Sequence, residues 1–222
     1  MPSGFAQDLS SVPLFPLPNV VLLPRAVLPL HIFEQRYRDM MRDALKGNRQ
    51  FAMALLRPGW EKSYHGRAEI EPVVCVGRIL SHEQLADGRF NLLLQGQIRA
   101  RIVRELQTDT LYRVAELEEI ACPEVPEMDL TDTRGRMIEL FSTPPLADTG
   151  IGEQFLKLLQ SHMTIPEIAD LAVFTFIEDI TLKQSLLAES DARRRVSQVM
   201  RALECLRPLL ITPARHAQSS DN

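Results

Sequence analysis

Hydrophobic and polar positions change their period near residue 120. Before that point the pattern is mostly that of strands. Residues Val12 to Leu30 are apolar but interrupted by Pro13, Pro16, Pro18, Pro24 and Pro29. Proline removes a backbone donor and clashes with the preceding turn, so this stretch predicts irregular strands rather than a helix. Asn19 to Leu23 is one short run. Val27 to Leu30 is another, confined by Pro29 to a sheet edge or a strand end. One helix intrudes. From Glu34 to Lys46, Tyr37, Met40, Met41, Ala44 and Leu45 recur at helical spacing, with Arg36, Arg38, Asp39, Arg42 and Asp43 elsewhere on the wheel. That spacing assigns Met40 and Met41 to the core, and Gly47-Asn48 is a stop.

Strands resume after this helix. Gln50 to Leu56 reads as a buried strand, and Glu71 to Gln84 contains the run Val73 to Val76. Ala86-Asp87-Gly88-Arg89 is a hairpin signal, because Asp-Gly tolerates the positive φ of such turns. A strand returns over Arg89 to Gln95, and Gly96 marks a bend before the next one. There Ile98, Ala100 and Ile102 alternate with Gln97, Arg99 and Arg101, giving one apolar and one basic face. Tyr112 to Leu117 is the last strand.

After residue 120 the period is helical. Cys122 to Glu127, with two prolines and two glutamates, is the expected join, so the chain divides into residues 1–120, β-rich, and 121–222, helical. Helices are expected over Thr131 to Ser142 and Ile151 to His162. A third starts at Thr164-Ile165-Pro166-Glu167, which has capping-box spacing and an early proline. Thr181 to Ala188 is a fourth. Ser190-Asp191 caps a fifth, which Pro208 should end or weaken. Its run Arg193-Arg194-Arg195 is expected on a solvated face beside Glu189 and Asp191.

Composition narrows the classes. The 222 residues are 45% hydrophobic and 24% charged, ordinary for a globular protein. Net charge is −4, and no long basic block exists, so duplex nucleic acid is an unlikely partner. Three dispersed cysteines argue against a disulfide framework. The prolines in the first apolar stretch, with Arg25 inside it, argue against a signal peptide or membrane span, so a cytoplasmic location is expected.

Marked catalytic motifs are missing. There is no phosphate loop, no G-x-G-x-x-G, no zinc helix and no G-x-S-x-G elbow. No two of the histidines and cysteines lie at metal-finger spacing; only the fold would gather distant ones such as His65, Cys75 and His82. No metal or other cofactor is therefore expected. Trp60 and Tyr64, in a Pro-Gly loop, are candidate partner contacts, although Trp60 would equally serve to cover a barrel end. Arg99, Arg101 and Arg104 are a candidate anion or RNA face, or simply a solvated strand face.

The order of these residues resembles a known family. Leu14 to Pro24, Val27 to Glu34 with Arg36-Tyr37, Val76 to Ile79, Asp87 to Arg89, Leu93 to Gly96 and Arg99 to Ile102 resemble the amino-terminal, substrate-binding domain of Lon proteases. Lys183-Gln184-Ser185-Leu186-Leu187, followed by Arg193 to Leu206, continues the resemblance more loosely. The resemblance implies an α+β fold: a twisted β pseudo-barrel of the PUA-like class with one inserted helix, then a C-terminal α-helical bundle. The ATPase module and Ser-Lys protease domain of Lon proteases have no counterpart in this sequence, so recognition without catalysis is expected. The implied work is binding unfolded or degron-bearing polypeptide segments, or acting as an adaptor. Candidate contacts, besides Trp60 and Tyr64, are Val27, Leu28, Leu30 and Ile32 on an open edge. The alternative is a small-molecule or RNA-binding module, since PUA-like folds resemble RNA binders.

Overall fold

Residues 8–63 and 67–210 are described by the computed structural model. The chain forms two compact units. One is the chain up to Cys122 together with Glu178–Ser190; the other is Pro123–Ile177 together with the chain from Asp191 on.

The first unit is built from β1 (Val12–Leu17), β2 (Val27–Ile32), α1 (Gln35–Lys46), β3 (Gln50–Leu55), β4 (Val73–Gln84), β5 (Phe90–Leu106) and β6 (Arg113–Glu119). Strand order is β2-β5-β4-β3-β1-β6, and β6 also pairs with β5, which makes the twisted pseudo-barrel. The sheet is mixed, because β1 runs parallel to β3 and antiparallel to β6. Its interior is filled by small and branched side chains, among them Val12, Leu14, Ala52, Ala54, Val74, Val76, Ala100 and Leu117. The opposite face of β1 and β3 is covered too. Phe15 meets Tyr37 edge-on at 4.5 Å and Phe51 at 6.0 Å. Tyr37, Met40, Met41 and Ala44 are the buried face of α1, as the periodicity requires. With both faces covered, every residue of β3 is buried, and after Gln50 the strand reads as a continuous apolar run.

Two expectations change here. Asn19 to Leu23 is not a strand, although Val21, Leu22 and Leu23 are buried. The chain meets β5 at the end of this segment and just beyond it: Arg25 N donates to Gly96 O, and Gly96 N to Ala26 O, both at 2.9 Å. Gly96 does not separate two strands either. β5 is continuous over 17 residues, and the irregularity is a register shift opposite Val76 and Gly77. The Asp87-Gly88 turn forms as expected, with Gly88 at φ +82°.

The second unit contains α2 (Thr131–Phe141), α3 (Gly150–Leu159), α4 (Ile165–Phe176) and α6 (Ala192–Leu210). Phe141, Phe155 and Phe176 form an aromatic cluster, with centroids 4.8 to 5.7 Å apart. Glu167 accepts from Thr164 N at 3.0 Å, the reciprocal bond of a capping box. α6 continues past Pro208 to Leu210. The three consecutive arginines of α6 separate. Arg193 pairs with Asp129 and Arg194 with Asp191, but Arg195 is 2% exposed and faces buried Asp170 at 3.2 Å. The solvated-face expectation therefore fails for Arg195, because successive helical residues point about 100° apart.

Among the described residues no helix is long and apolar enough to cross a membrane, and no three His, Cys, Asp or Glu side chains gather to hold a metal. Cys75 is buried in β4; His65 and His216 lie outside the described residues.

Candidate functional site

The remaining helix, α5 (Ile180–Ala188), creates the site. Helical periodicity groups it with the chain after residue 120, yet it belongs to the β unit. Asp179 starts it by accepting from Thr181 N and Leu182 N at 2.8 and 3.0 Å. Leu186 and Leu187 are buried. Two polar bonds then anchor the helix to the sheet. Gln184 Nε2 donates to Val73 O at 2.8 Å, and Arg99 Nε donates to Leu187 O at 3.1 Å. Burial of Lys183 on the same helix lowers the pKa of its amine, with Glu178 acting in the opposite sense.

Between α5 and the sheet lies a cavity of about 440 Å³. Ile180, Thr181, Gln184, Ser185 and Ala188 form one wall; Leu55, Leu56, Pro58, Trp60 and Val73 are among the residues opposite. The Trp60 loop is held at its base, where Arg57 N donates to Glu69 O and Glu71 N to Leu55 O. Arg57 also pairs with Glu71, the ionisable wall residue, at 3.3 Å. Among the described residues no histidine lines the cavity, and the Ser185 hydroxyl is spent on Leu182 O at 2.8 Å. Such walls bury apolar groups. Replacing Gln184 with Leu strands the Val73 carbonyl, and is expected to cost about 1–3 kcal/mol. Faster hydrogen exchange in the α5 amides, with α1 unchanged, is the signature to measure.

The structure distributes the other candidates. Trp60 is half-buried in the cavity wall, while Tyr64 lies outside the described residues. β2 ends the strand order and pairs with β5 along its whole length, so its other edge is the open one. On it Val27 is exposed, and Leu28 and Leu30 are half-buried. Ile32, at 1% exposed, belongs to the core and is no surface contact. The arginines do not make one face. Arg99 is 6% exposed because α5 covers that side of β5, and Arg104 pairs with Glu116 at 2.7 Å. Arg101 is the exposed one that remains. The α5 wall was not a sequence-level candidate. The available signal was the run Lys183 to Leu187.

A family model described as the ATP-dependent protease La (LON) substrate-binding domain matches residues 11–204. The chain belongs to this family. Among its relatives, the Lon protease of Desulfosudis oleivorans is 27% identical over 202 residues, covering 87% of this chain and 24% of that protein. Lon protease 2 of Myxococcus xanthus is 27% identical over 213 residues, 92% of this chain and 25% of that one. The chain thus spans about a quarter of the length of these curated relatives. Among solved structures, a Lon N-terminal domain protein from Xanthomonas campestris is 25% identical, with a TM-score of 0.61, over 86% of this chain and 98% of that one. The N-terminal domain of the Mycobacterium avium complex Lon protease, 16% identical, shares the fold with a TM-score of 0.68, over 88% of this chain and 98% of that one. The Lon substrate-binding family thus accounts for both the β pseudo-barrel and the helical region.

Proposed function

We propose that this Lon-family domain is a non-catalytic module that binds unfolded or degron-bearing polypeptide segments, alone or as an adaptor, in the cytoplasm. The observation that carries this reading is the cavity between Trp60 and α5. An apolar side chain of a client would be buried there, and each fully buried aliphatic or aromatic side chain contributes about 1.5–3 kcal/mol. The open edge of β2 offers a second mode, addition of an extended client strand. The family's description as substrate-binding supports the same reading.

Trp60 is the chain's single tryptophan, so its emission reports on this wall alone. Titration with a reduced, carboxymethylated protein that cannot refold is expected to shift that emission saturably. Trp60→Ala, followed by anisotropy of the labelled client, is expected to weaken binding about tenfold or more, as for an aromatic anchor in a pocket. Undiminished affinity would remove the groove from the mechanism.

A further inference from the structure

Among the described residues, the β unit carries cavities whose charges differ. The Trp60 cavity has Glu71 in its wall, and the one on the β2-β5-β4 surface has Glu83 with His31 and His82. A third, of about 340 Å³, has three arginines and, among the described residues, no acidic residue in its walls. We propose that this cavity, walled by Arg36, Arg67 and Arg113, binds a carboxylate borne on an apolar group.

The three arginines come from separate places. Arg36 stands in the first turn of α1, Arg67 closes the Trp60 loop, and Arg113 opens β6. Arg113 is the fixed member. Its Nε donates to Glu105 Oε2 at 2.9 Å and its Nη1 to Ala68 O at 2.7 Å. The hydrogen bond from Arg113, opposed by burial, holds the Glu105 carboxyl below its ordinary value. Arg67 reaches the same carboxylate at 3.8 Å with half of its side chain exposed. Arg36 pairs with Glu34 at 2.9 Å.

Arg113 and Arg36 thus already hold Glu105 and Glu34, and Arg67, half exposed and 3.8 Å from Glu105, is the guanidinium best placed to meet a ligand. Asp43 is not in the walls, and accepts from the Tyr112 hydroxyl at 2.9 Å. Burial first, then Asp43, pushes the Tyr112 pKa up to about 12, so the phenol stays neutral. Arginine forks suit a planar carboxylate by two parallel hydrogen bonds.

The remaining walls are apolar. The Tyr37 ring is buried, with the Arg36 guanidinium 4.6 Å above it. Leu111 is 70% exposed, a large apolar side chain held in the cavity wall. The volume lies at the small end of the range for ligand cavities. Charge and apolar surface together select an acid with an apolar body. Two sources carry that chemistry: the free C-terminus of a polypeptide ending in an apolar residue, which rests on the proposed function, and a small aryl or alkyl acid, which does not.

Calorimetric titration of the full chain separates them. The probes are a five-residue peptide ending in leucine, as free acid and as amide, and 4-phenylbutyrate with its amide. At least one acid is expected to bind about tenfold tighter than its amide, the scale of one charge-assisted pair. Arg67→Gln is expected to weaken that acid about fivefold or more while leaving the urea midpoint in place, since Arg67 is half exposed. Preference for the peptide acid alone identifies a chain terminus; binding of 4-phenylbutyrate as well identifies a small acid. The proposal is overturned if neither acid outbinds its amide, or if Arg67→Gln and Arg36→Gln both leave the acid's affinity unchanged. The Trp60 titration with unfolded client, run on the same variants, reports separately on the groove. Failure of the carboxylate site therefore leaves that reading standing.

Discussion

Asp170→Ala is expected to destabilise the helical unit by about 3–5 kcal/mol, the cost of stranding one member of a buried ion pair. Asp170 on α4 and Arg195 on α6 are 3% and 2% exposed, and Arg195 Nε lies 3.2 Å from Asp170 Oδ1. Removing the carboxylate strands a buried guanidinium in a unit whose interior is mostly apolar, Ile165, Ala169 and Val199 among its buried residues. The measurement is urea unfolding followed by far-ultraviolet circular dichroism. The double replacement Asp170→Leu with Arg195→Met removes both charges and is expected to recover most of the loss. If the single variant loses less than about 1 kcal/mol, the pair is solvated and this account of the helical unit is wrong.

Gly96→Ala is expected to destabilise the β unit by about 3 kcal/mol or more, at the upper end for added core volume. A Cβ at this position would stand 2.1 Å from Leu23 O and 2.8 Å from Leu23 C. Both are backbone atoms, so no side-chain rotation relieves the clash. The chain just beyond, at Arg25 and Ala26, is also tied to Gly96 by two hydrogen bonds at 2.9 Å. Gly135 in α2 is the control, because nothing lies within 4 Å of its built Cβ. Trp60 emission reads the β unit during unfolding. A Gly96→Ala midpoint equal to that of the unaltered chain would show that this stretch does not lie against β5.

The parts of this fold that were legible in the sequence are those whose signal is local. The buried face of α1 follows from residues within three turns of one another. The Asp87-Gly88 turn follows from one dipeptide that accepts positive φ. The start of α4 follows from Thr164 and Glu167. Asn19 to Leu23 shows the limit. Its apolar residues Val21, Leu22 and Leu23 are buried, but the chain just beyond it, at Arg25 and Ala26, bonds to Gly96, and a remote partner leaves no periodic trace.

The candidate site was half legible for the same reason. Trp60 stood out as a loop aromatic, but the wall facing it comes from α5, more than a hundred residues later. Nothing in the sequence near Val73 announces that its carbonyl will be taken by Gln184. Arg99 reads as solvated from strand alternation, and Arg195 as solvated from its basic run; each is buried because another helix supplies its acceptor. The sequence by itself determined the order of elements, the one helix among the strands, the helical region beyond them, and membership of the Lon substrate-binding family. Only the tertiary structure decided which charges are covered, where α5 docks, and which cavity collects three arginines. Periodicity records how a residue faces its own element, whereas burial and charge balance depend on elements brought together from remote parts of the chain.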